Sequence, residues 1–482
     1  MTTGEVSQQR ADELSSELTA SEIDAVAFTW VDNAGITRAK AVPTVRLPHA
    51  VAWGVGMSPV FDVFCVDDTI TSSAYLGGPV DDLRLYPDLE QLVQLTAQPG
   101  WALAPVDRRT QDGDDHPACS RSFARRMTQQ AAEAGLEFRM SFETEWCVSP
   151  EGSDEYRPYG SSPAYGMTRI IELSDYLRAV LEALTQQGVP VEQVHPEYAP
   201  GQLELTVAAA DPVTAADRAV LVRQTIRAVS TRHGLRPSFA PVVLPDHAGN
   251  GWHLHVSGWR HQGATAAEPV DSRRTPDADG SADRNEQAPV PESNLFANGA
   301  GPYGITAAGE ELMAGWLRSL PALSAIGAPS VASHLRLLPQ RWAAPYQCWG
   351  FENREAALRL VTGTAGQEAE AANVEFKCVD GSANPYLLVG AVLAIAAATV
   401  GSGATLPPEV NVDPASLAPS EQPPRLPRQV AEGIQALRAE PVLTHALGAP
   451  LLEAFVAVHE TEARLFADAT DAEIAAATRW RW

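Results

Sequence analysis

Between Phe138 and Cys147 the chain alternates: Phe138, Met140, Phe142 and Trp146 fall on one face, and Arg139, Ser141, Glu143, Glu145 and Cys147 on the other. A period of two marks a strand with one face on a core, so both glutamates project from a sheet whose back is buried. Two later segments repeat the pattern. The run GQLELTV places Gln202, Glu204 and Thr206 together, and GWHLHVSGW sets His253, His255 and Ser257 against Trp252, Leu254 and Val256. Acids and imidazoles on apolar-backed strands imply a β-lined cavity. The expected class is α+β, with antiparallel strands lining the site.

Helical periodicity fills the gaps between these strands. Helices are expected from about Ser120 to Gly135, over 173–187 closed by Gly188, and over 212–233 between Asp211-Pro212 and Gly234. The first hundred residues read as short strands and turns, with a hairpin around Asp32-Asn33-Ala34-Gly35. The polar run VDRRTQDGDDHP divides a small unit, residues 1–110, from a large one, residues 115–482. Residues 260–294, rich in Pro, Asp and Ala, read as a mobile insertion. Beyond a Pro-rich connector near 406–427, RQVAEGIQALRAEPVL and LLEAFVAVHETEARLF read as amphipathic closing helices.

Composition removes several classes of partner. A net charge of −25 over 482 residues offers no basic footprint for nucleic acid or an anionic membrane. No apolar run reaches the ~18–20 residues of a membrane span, and MTTGEVSQQRADEL has no secretory core, so a cytoplasmic protein is expected. The five cysteines are scattered without a Cys-x-x-Cys, the usage of reduced thiols. Lysine occurs only at Lys40 and Lys377.

Taken singly, the motifs are weak. A Glu-x-Glu is usually a solvated strand face, Glu197 and Glu204 flanking YAPGQL read as well as loop charges, and Arg354 and Arg359 read as surface arginines. Taken together, Glu143, Glu145, Glu197, Glu204 and Glu375 with His253 and His255 supply what hard divalent ions such as Mg²⁺ or Mn²⁺ bind: carboxylate oxygens with an occasional imidazole. Arginines beside them suit the oxygens of a migrating phosphoryl group. The residues by themselves point to a metal-dependent, phosphate-handling enzyme and leave its substrate open.

The segments FETEW, HPEYAPGQLEL, GNGWHLHVS, RLLPQRWAAP, WGFENREAALR and EFKCVDGSANPYLL, in that order, resemble the successive signatures of the glutamine synthetase family, from about residue 20 to the carboxyl end. The resemblance implies a small β-grasp-like amino-terminal domain and a large catalytic domain holding two or more Mg²⁺ or Mn²⁺ ions, with ATP as co-substrate. By matching positions, Glu145, Glu197 and Glu204 resemble the ligands of the metal on the glutamate and amine side, and Glu143, His253 and Glu375 those of the metal at the ATP phosphates. Glu192, His255 and Ser257 resemble nucleotide contacts. Arg354 and Arg359 resemble the γ-phosphate arginines, and Arg336 the clamp of the glutamate α-carboxylate, with Gly249 and Lys377 beside the substrate. The implied reaction phosphorylates the γ-carboxylate of glutamate, and an amine nitrogen then displaces phosphate. The family also implies a homo-oligomer, a dodecamer of two hexameric rings, in which a neighbouring amino-terminal domain completes each site.

Departures from the family bear on the amine. Ammonia-using members carry a glutamate in the flap after the clamp arginine; here the segment is Pro339-Gln340-Arg341-Trp342-Ala343-Ala344-Pro345, with Trp342 or Ala343 in its place. Loss of that acid weakens ammonium capture, and an indole offers a wall for an organic amine. The expected activity is therefore a glutamate–amine ligase, with ethanolamine or another small monoamine first, since no acids were placed for the distal ammonium of a polyamine. The alternatives are a γ-glutamylpolyamine synthetase, an ammonia-using glutamine synthetase and a non-catalytic regulatory homologue. Tyr165 and the MSPVFDVF segment with Asp62 are candidates for the amine-site lining.

Overall fold

The computed structural model describes residues 3–160, 162–261 and 292–482. The insertion expected at 260–294 falls almost wholly on residues 262–291, outside the described residues.

The small unit is a mixed sheet whose central strand is Trp101–Arg109. The hairpin Ala25–Val31/Thr37–Pro43 closes at the expected turn, where the Asp32 carboxylate accepts the N–H groups of Ala34 and Ile36. Trp101–Arg109 runs parallel to the first hairpin strand and antiparallel to Leu83–Pro87. The sequence reading missed the helix Thr3–Ala20 in front of this sheet. Its apolar stripe is sparse (Ala11, Leu14, Leu18), too thin to register as periodicity, but these residues are buried, and Leu14 and Leu18 pack in one cluster with Phe28, Leu47 and Leu85.

Two sheets build the large unit. One is antiparallel, in the order Leu235–Ser238, Thr144–Pro150, Gln202–Val207, Val191–Pro196. In the other, Leu254–His261 pairs with Glu137–Phe142, Glu292–Asn294 and Asn373–Phe376, and the sheet continues to Ala356–Val361 and Tyr346–Phe351. The alternating run 138–147 is thus two strands rather than one. Phe142 pairs with Leu254, Thr144 pairs with Leu205, and Glu143 sits at the crossing between sheets. The alternation keeps its phase through the crossing, so sequence alone could not reveal the break, and both glutamates still face one cavity.

The helices Ser120–Glu133, Ser174–Gln186 and Pro212–Arg232 lie where expected. Pro385–Thr399 is almost entirely buried and packs against Ser120–Glu133 and Ala307–Gly327. Its cap ties the two units together. Asn384 Oδ1 accepts the N–H groups of Tyr386 and Leu387, while Nδ2 donates to the carbonyls of Val31 and Asp32 in the amino-terminal hairpin. At the hairpin tip, Gly35 has φ +74°, and a Cβ there would lie 2.0 Å from the Ser382 carbonyl oxygen, so only glycine fits.

The last long helix, Pro441–Leu465, is long and apolar enough to cross a membrane by length and composition, where the sequence reading found no such run. It bends at Gly448, packs on Val430–Ala439 and Pro385–Thr399, and buries His459 and Glu462. Glu462 accepts the Val66 N–H at 2.7 Å, and His459 Nε2 lies 3.0 Å from the Asn33 carbonyl oxygen. An apolar helix with polar groups bonded inside the protein has the pattern of a core helix. All five cysteines are buried and free.

Candidate active site

The sheets converge on one cavity, and most of the predicted residues meet there. The Glu143 main-chain N–H donates to the His253 carbonyl at 2.9 Å, while its Oε1 lies 2.7 Å from His253 Nδ1 and its Oε2 3.5 Å from His255 Nε2. Glu375 Oε1 lies 3.3 Å from His253 Nδ1 and accepts from Lys377 Nζ at 3.2 Å; its Oε2 accepts from Arg359 Nη1 at 3.0 Å. Across the cavity, Glu145 Oε2 accepts from Gln202 Nε2 at 2.7 Å and from the Gly251 N–H at 2.9 Å. Glu204 Oε1 lies 3.0 Å from His195 Nε2, and Glu197 Oε1 3.5 Å from His195 Nδ1.

Three groups place ligand atoms within 4.8 Å of one another: Glu143 with His255 and Glu375, Glu143 with Glu145 and His253, and His195 with Glu197 and Glu204. Carboxylate oxygens with one imidazole per group are the donors that Mg²⁺ and Mn²⁺ take. Electrostatics agrees with that fit on the Glu145 side. Burial, then the charges of Glu204 and Glu197, push Glu145 up to about 8; burial raises Glu204 to about 7 against the pull of His195. These acids repel one another until a cation arrives. His195 is drawn up to about 9 by its bond to Glu204. On the other side burial would raise Glu375, but Lys377, His255 and His253 hold it at about 2. Glu143 is likewise kept well below its ordinary range by bonds to His253 and His255, despite burial. Burial and Lys377 depress His253 to about 4, whereas Glu143 and Glu375 overcome burial to raise His255 to about 9.

Arg336 is buried against His253, with Nη2 3.1 Å from Nε2 and donating to the Lys377 carbonyl at 3.0 Å. Its Nη1 is enclosed without a hydrogen-bond partner among the described residues, a donor free for a ligand acceptor. A Cβ on Gly249 would lie 2.1 Å from the Pro241 carbonyl oxygen and 3.0 Å from the Arg336 side chain, so this position needs glycine for close approach. Tyr165 donates to Glu197 Oε2 at 2.8 Å, bringing its ring to the cluster. Ser257 accepts from Trp259 Nε1 at 3.0 Å and donates to the Arg139 carbonyl at 3.3 Å, farther along the His253–His255 face.

Some predicted residues are not brought into the cluster. Arg354 is exposed in the turn before the Ala356–Val361 strand. Glu192 is exposed at a bulge, at the far end of its strand from Glu197. Asp62 lies in the amino-terminal unit: its Oδ1 pairs with Arg108, its main-chain oxygen accepts from Asn33, and its Oδ2 is buried without a hydrogen-bond partner among the described residues. Ala343 is buried in the core, leaving Trp342, 58% exposed, as the flap's outward side chain.

Sequence reasoning missed several members of the site. His195 bridges Glu204 and Glu197; its i, i+2 spacing to Glu197 was the available signal. Gln202 was placed on the correct face but not seen as the donor to Glu145. Asn373, at 2.9 Å from His255 Nδ1, and Glu352, bonded to Arg359 Nη2, orient the two residues they touch.

With this geometry in place, the chain was compared with known proteins. The model for the glutamine synthetase N-terminal domain matches residues 13–113, and the model for the glutamine synthetase catalytic domain matches 117–275 and 290–476. The chain is 50% identical, over 99% of its length and 97% of the relative's, to gamma-glutamylpolyamine synthetase GlnA3 of Streptomyces coelicolor. It is 24% identical over 98% of its length and 94% of the relative's to gamma-glutamylanilide synthase of an Acinetobacter species. A solved structure described as a novel glutamine synthase homolog superposes with a TM-score of 0.79 at 30% identity, covering 95% of this chain and 99% of that one. The fold and site define an ATP-dependent carbon–nitrogen ligase. The chain belongs to the glutamine synthetase family.

Proposed function

We propose that the protein joins the γ-carboxylate of glutamate to a polyamine, using ATP and passing through γ-glutamyl phosphate. The observation that carries this reading is the 50% identity, end to end, with a γ-glutamylpolyamine synthetase. Ethanolamine, the first expectation from sequence, finds no support in the relatives. The objection to a polyamine was a lack of acids for its distal charge; Glu355 and Asp413, both against the flap, weaken that objection.

In this reading the family's pattern has Glu145, Glu197 and Glu204 hold one divalent ion and Glu143, His253 and Glu375 the other; the ligand atoms that lie together are His195 with Glu197 and Glu204, Glu143 with Glu145 and His253, and Glu143 with His255 and Glu375. The ions supply charge neutralisation for the transferring phosphoryl group. Arg336 Nη1 receives the glutamate carboxylate beside Gly249 and Lys377. Arg359, fixed by Glu375 and Glu352, faces the phosphoryl oxygens, and Arg354, free in its turn, closes on them when nucleotide binds. Glu192, His255 and Ser257 meet the nucleotide. Tyr165, by binding Glu197 Oε2, orients that carboxylate toward the amine.

Exposed apolar side chains occur on the amino-terminal unit (Val45, Trp53, Ile70, Val80) and on the large unit (Met167, Ile171, Tyr198), surface of the kind a homo-oligomer covers; the dodecamer of two hexamers rests on the family resemblance. The test of function is phosphate release with Mg²⁺, ATP and glutamate, comparing putrescine and spermidine with ethanolamine, isopropylamine and ammonium, and product mass by mass spectrometry. Turnover with a polyamine well above the rest is expected; efficient turnover with ammonium instead would return the protein to the ordinary synthetases.

A further inference from the structure

The flap Pro339–Pro345 has lost its acid, yet an acid lies beneath it. Glu355 is 7% exposed. Its Oε1 accepts the Trp342 N–H at 2.8 Å, and its own N–H donates to Asn353 Oδ1 at 3.0 Å. Its Oε2 is enclosed and has no well-formed hydrogen bond among the described residues, the Gln340 N–H lying near enough only to temper the rise that burial gives the carboxyl. A buried acceptor left unmet costs about 1–3 kcal/mol and calls for a partner, a ligand or an ion among them. The neighbouring cations are committed elsewhere: Lys377 Nζ to Glu375, and Arg359 to Glu375 and Glu352. Asp413, the other acid against the flap, already accepts from Gln340 Nε2 at 3.2 Å.

The cover over Glu355 is a strained turn. Gln340, Trp342 and Ala344 have φ of +59°, +54° and +54°, a region that non-glycine residues occupy at about 1–3 kcal/mol each. Arg341 Nη1 donates to the Asp246 carbonyl at 3.2 Å, so the flap spans from Glu355 to the loop that leads to Gly249. Beneath the flap, Glu355 is near enough to Lys377 and Asp413 for their charges to act on it.

We propose that Glu355 is the receptor for an ammonium group of the amine substrate: Oε1 holds the flap, and Oε2 accepts from the –NH₃⁺ that enters when the flap lifts. The proposal rests on the amine-ligase reading above and assigns its specificity to a residue outside the flap. An alkylammonium suits Oε2 chemically, as a compact N–H cation for an unmet carboxylate oxygen.

The test is steady-state kinetics of the wild type, Glu355→Gln and Glu355→Asp, varying amine, glutamate and ATP in turn, with melting temperatures of each. Glu355→Gln is expected to raise KM for the amine about tenfold or more, with KM for glutamate and ATP changed less than about twofold and Glu355→Asp intermediate. An unchanged amine KM, or equal rises for amine and glutamate, would overturn the proposal and leave Glu355 as a flap anchor. If Glu355→Gln does not fold, Glu355→Asp, which keeps the charge and shortens the reach, carries the same comparison. Should the wild type use ammonium alone, the amine-ligase reading fails while this one is judged on the KM for ammonium; no turnover with any amine or ammonium overturns both.

Discussion

Glu145 and Glu375 face one cavity from two sheets, yet burial and neighbouring carboxylates drive the first up to about 8, while Lys377 and two histidines hold the second at about 2 against burial. The difference lies in the company each keeps. Glu145 has two acids, neutral donors and only the more distant Arg336 and His253 around it; Glu375 has Lys377, Arg359 and two imidazoles. The Glu375 side already carries counter-charges, whereas the Glu145 side is charged only at a cost that a metal relieves.

The largest expected effect separates the two sides in metal-free protein. Glu375→Gln strands the Lys377 and Arg359 charges and should destabilise by about 3–5 kcal/mol, whereas Glu145→Gln removes a repelled charge and should be neutral or stabilising at pH 8. Denaturant unfolding in EDTA measures both, and equal losses would break the comparison. The pH dependence has opposite signs. Glu145, raised from its usual value, contributes stability fully present below about 4.5 and lost as pH rises through about 8; Glu375, depressed, contributes stability present above about 4.5 and lost as pH falls toward 2.

A smaller effect concerns the ions themselves. Metal must displace the protons held by Glu145 and Glu204 below about 7–8, so Mn²⁺ affinity on that side should fall as pH drops from 8 to 6, with proton release on binding. Calorimetry in buffers of different ionisation enthalpy reads the protons. Glu204→Gln should weaken binding by about 10–100-fold and flatten the pH dependence, and a dependence that survives the substitution would place the protons elsewhere.

The smallest effect sharpens the amine end. Trp342→Glu, at the outward flap position, should raise kcat/KM for ammonium by up to about tenfold, with Glu355 still in place. Ala343→Glu would instead bury a charge in the core and fail to fold, because Ala343 is 3% exposed. No gain with Trp342→Glu would mean that acid supply at the flap does not limit ammonia use.

Much of this was legible in the chain. The alternations placed Glu143, Glu145, Glu204, His253 and His255 on faces that do meet, because strand period is local information. What alternation cannot carry is pairing: that Glu143 lies between two sheets, that Gln202 serves Glu145, or that His195 joins Glu197 to Glu204. Glu355 escaped notice because WGFENREAALR drew attention to its arginines, and its significance lies in what covers it. Asp62 shows the complementary limit, an acid in a suitable loop whose ion-pair partner, Arg108, lies 46 positions away and could not be read from spacing.

The hairpin tip at Gly35, wedged on Ser382 with Asn384 bonded to the Val31 and Asp32 carbonyls, has a consequence for how the protein comes to exist. The helix cap that follows the Glu375–Lys377 segment takes two of its bonds from residues synthesised some 350 positions earlier. A nascent chain must therefore keep its first hairpin available until the catalytic sheet is nearly whole, and a chain beginning at residue 117 would leave the Asn384 amide without acceptors. The small unit is masonry for the large one, and neither is finished alone.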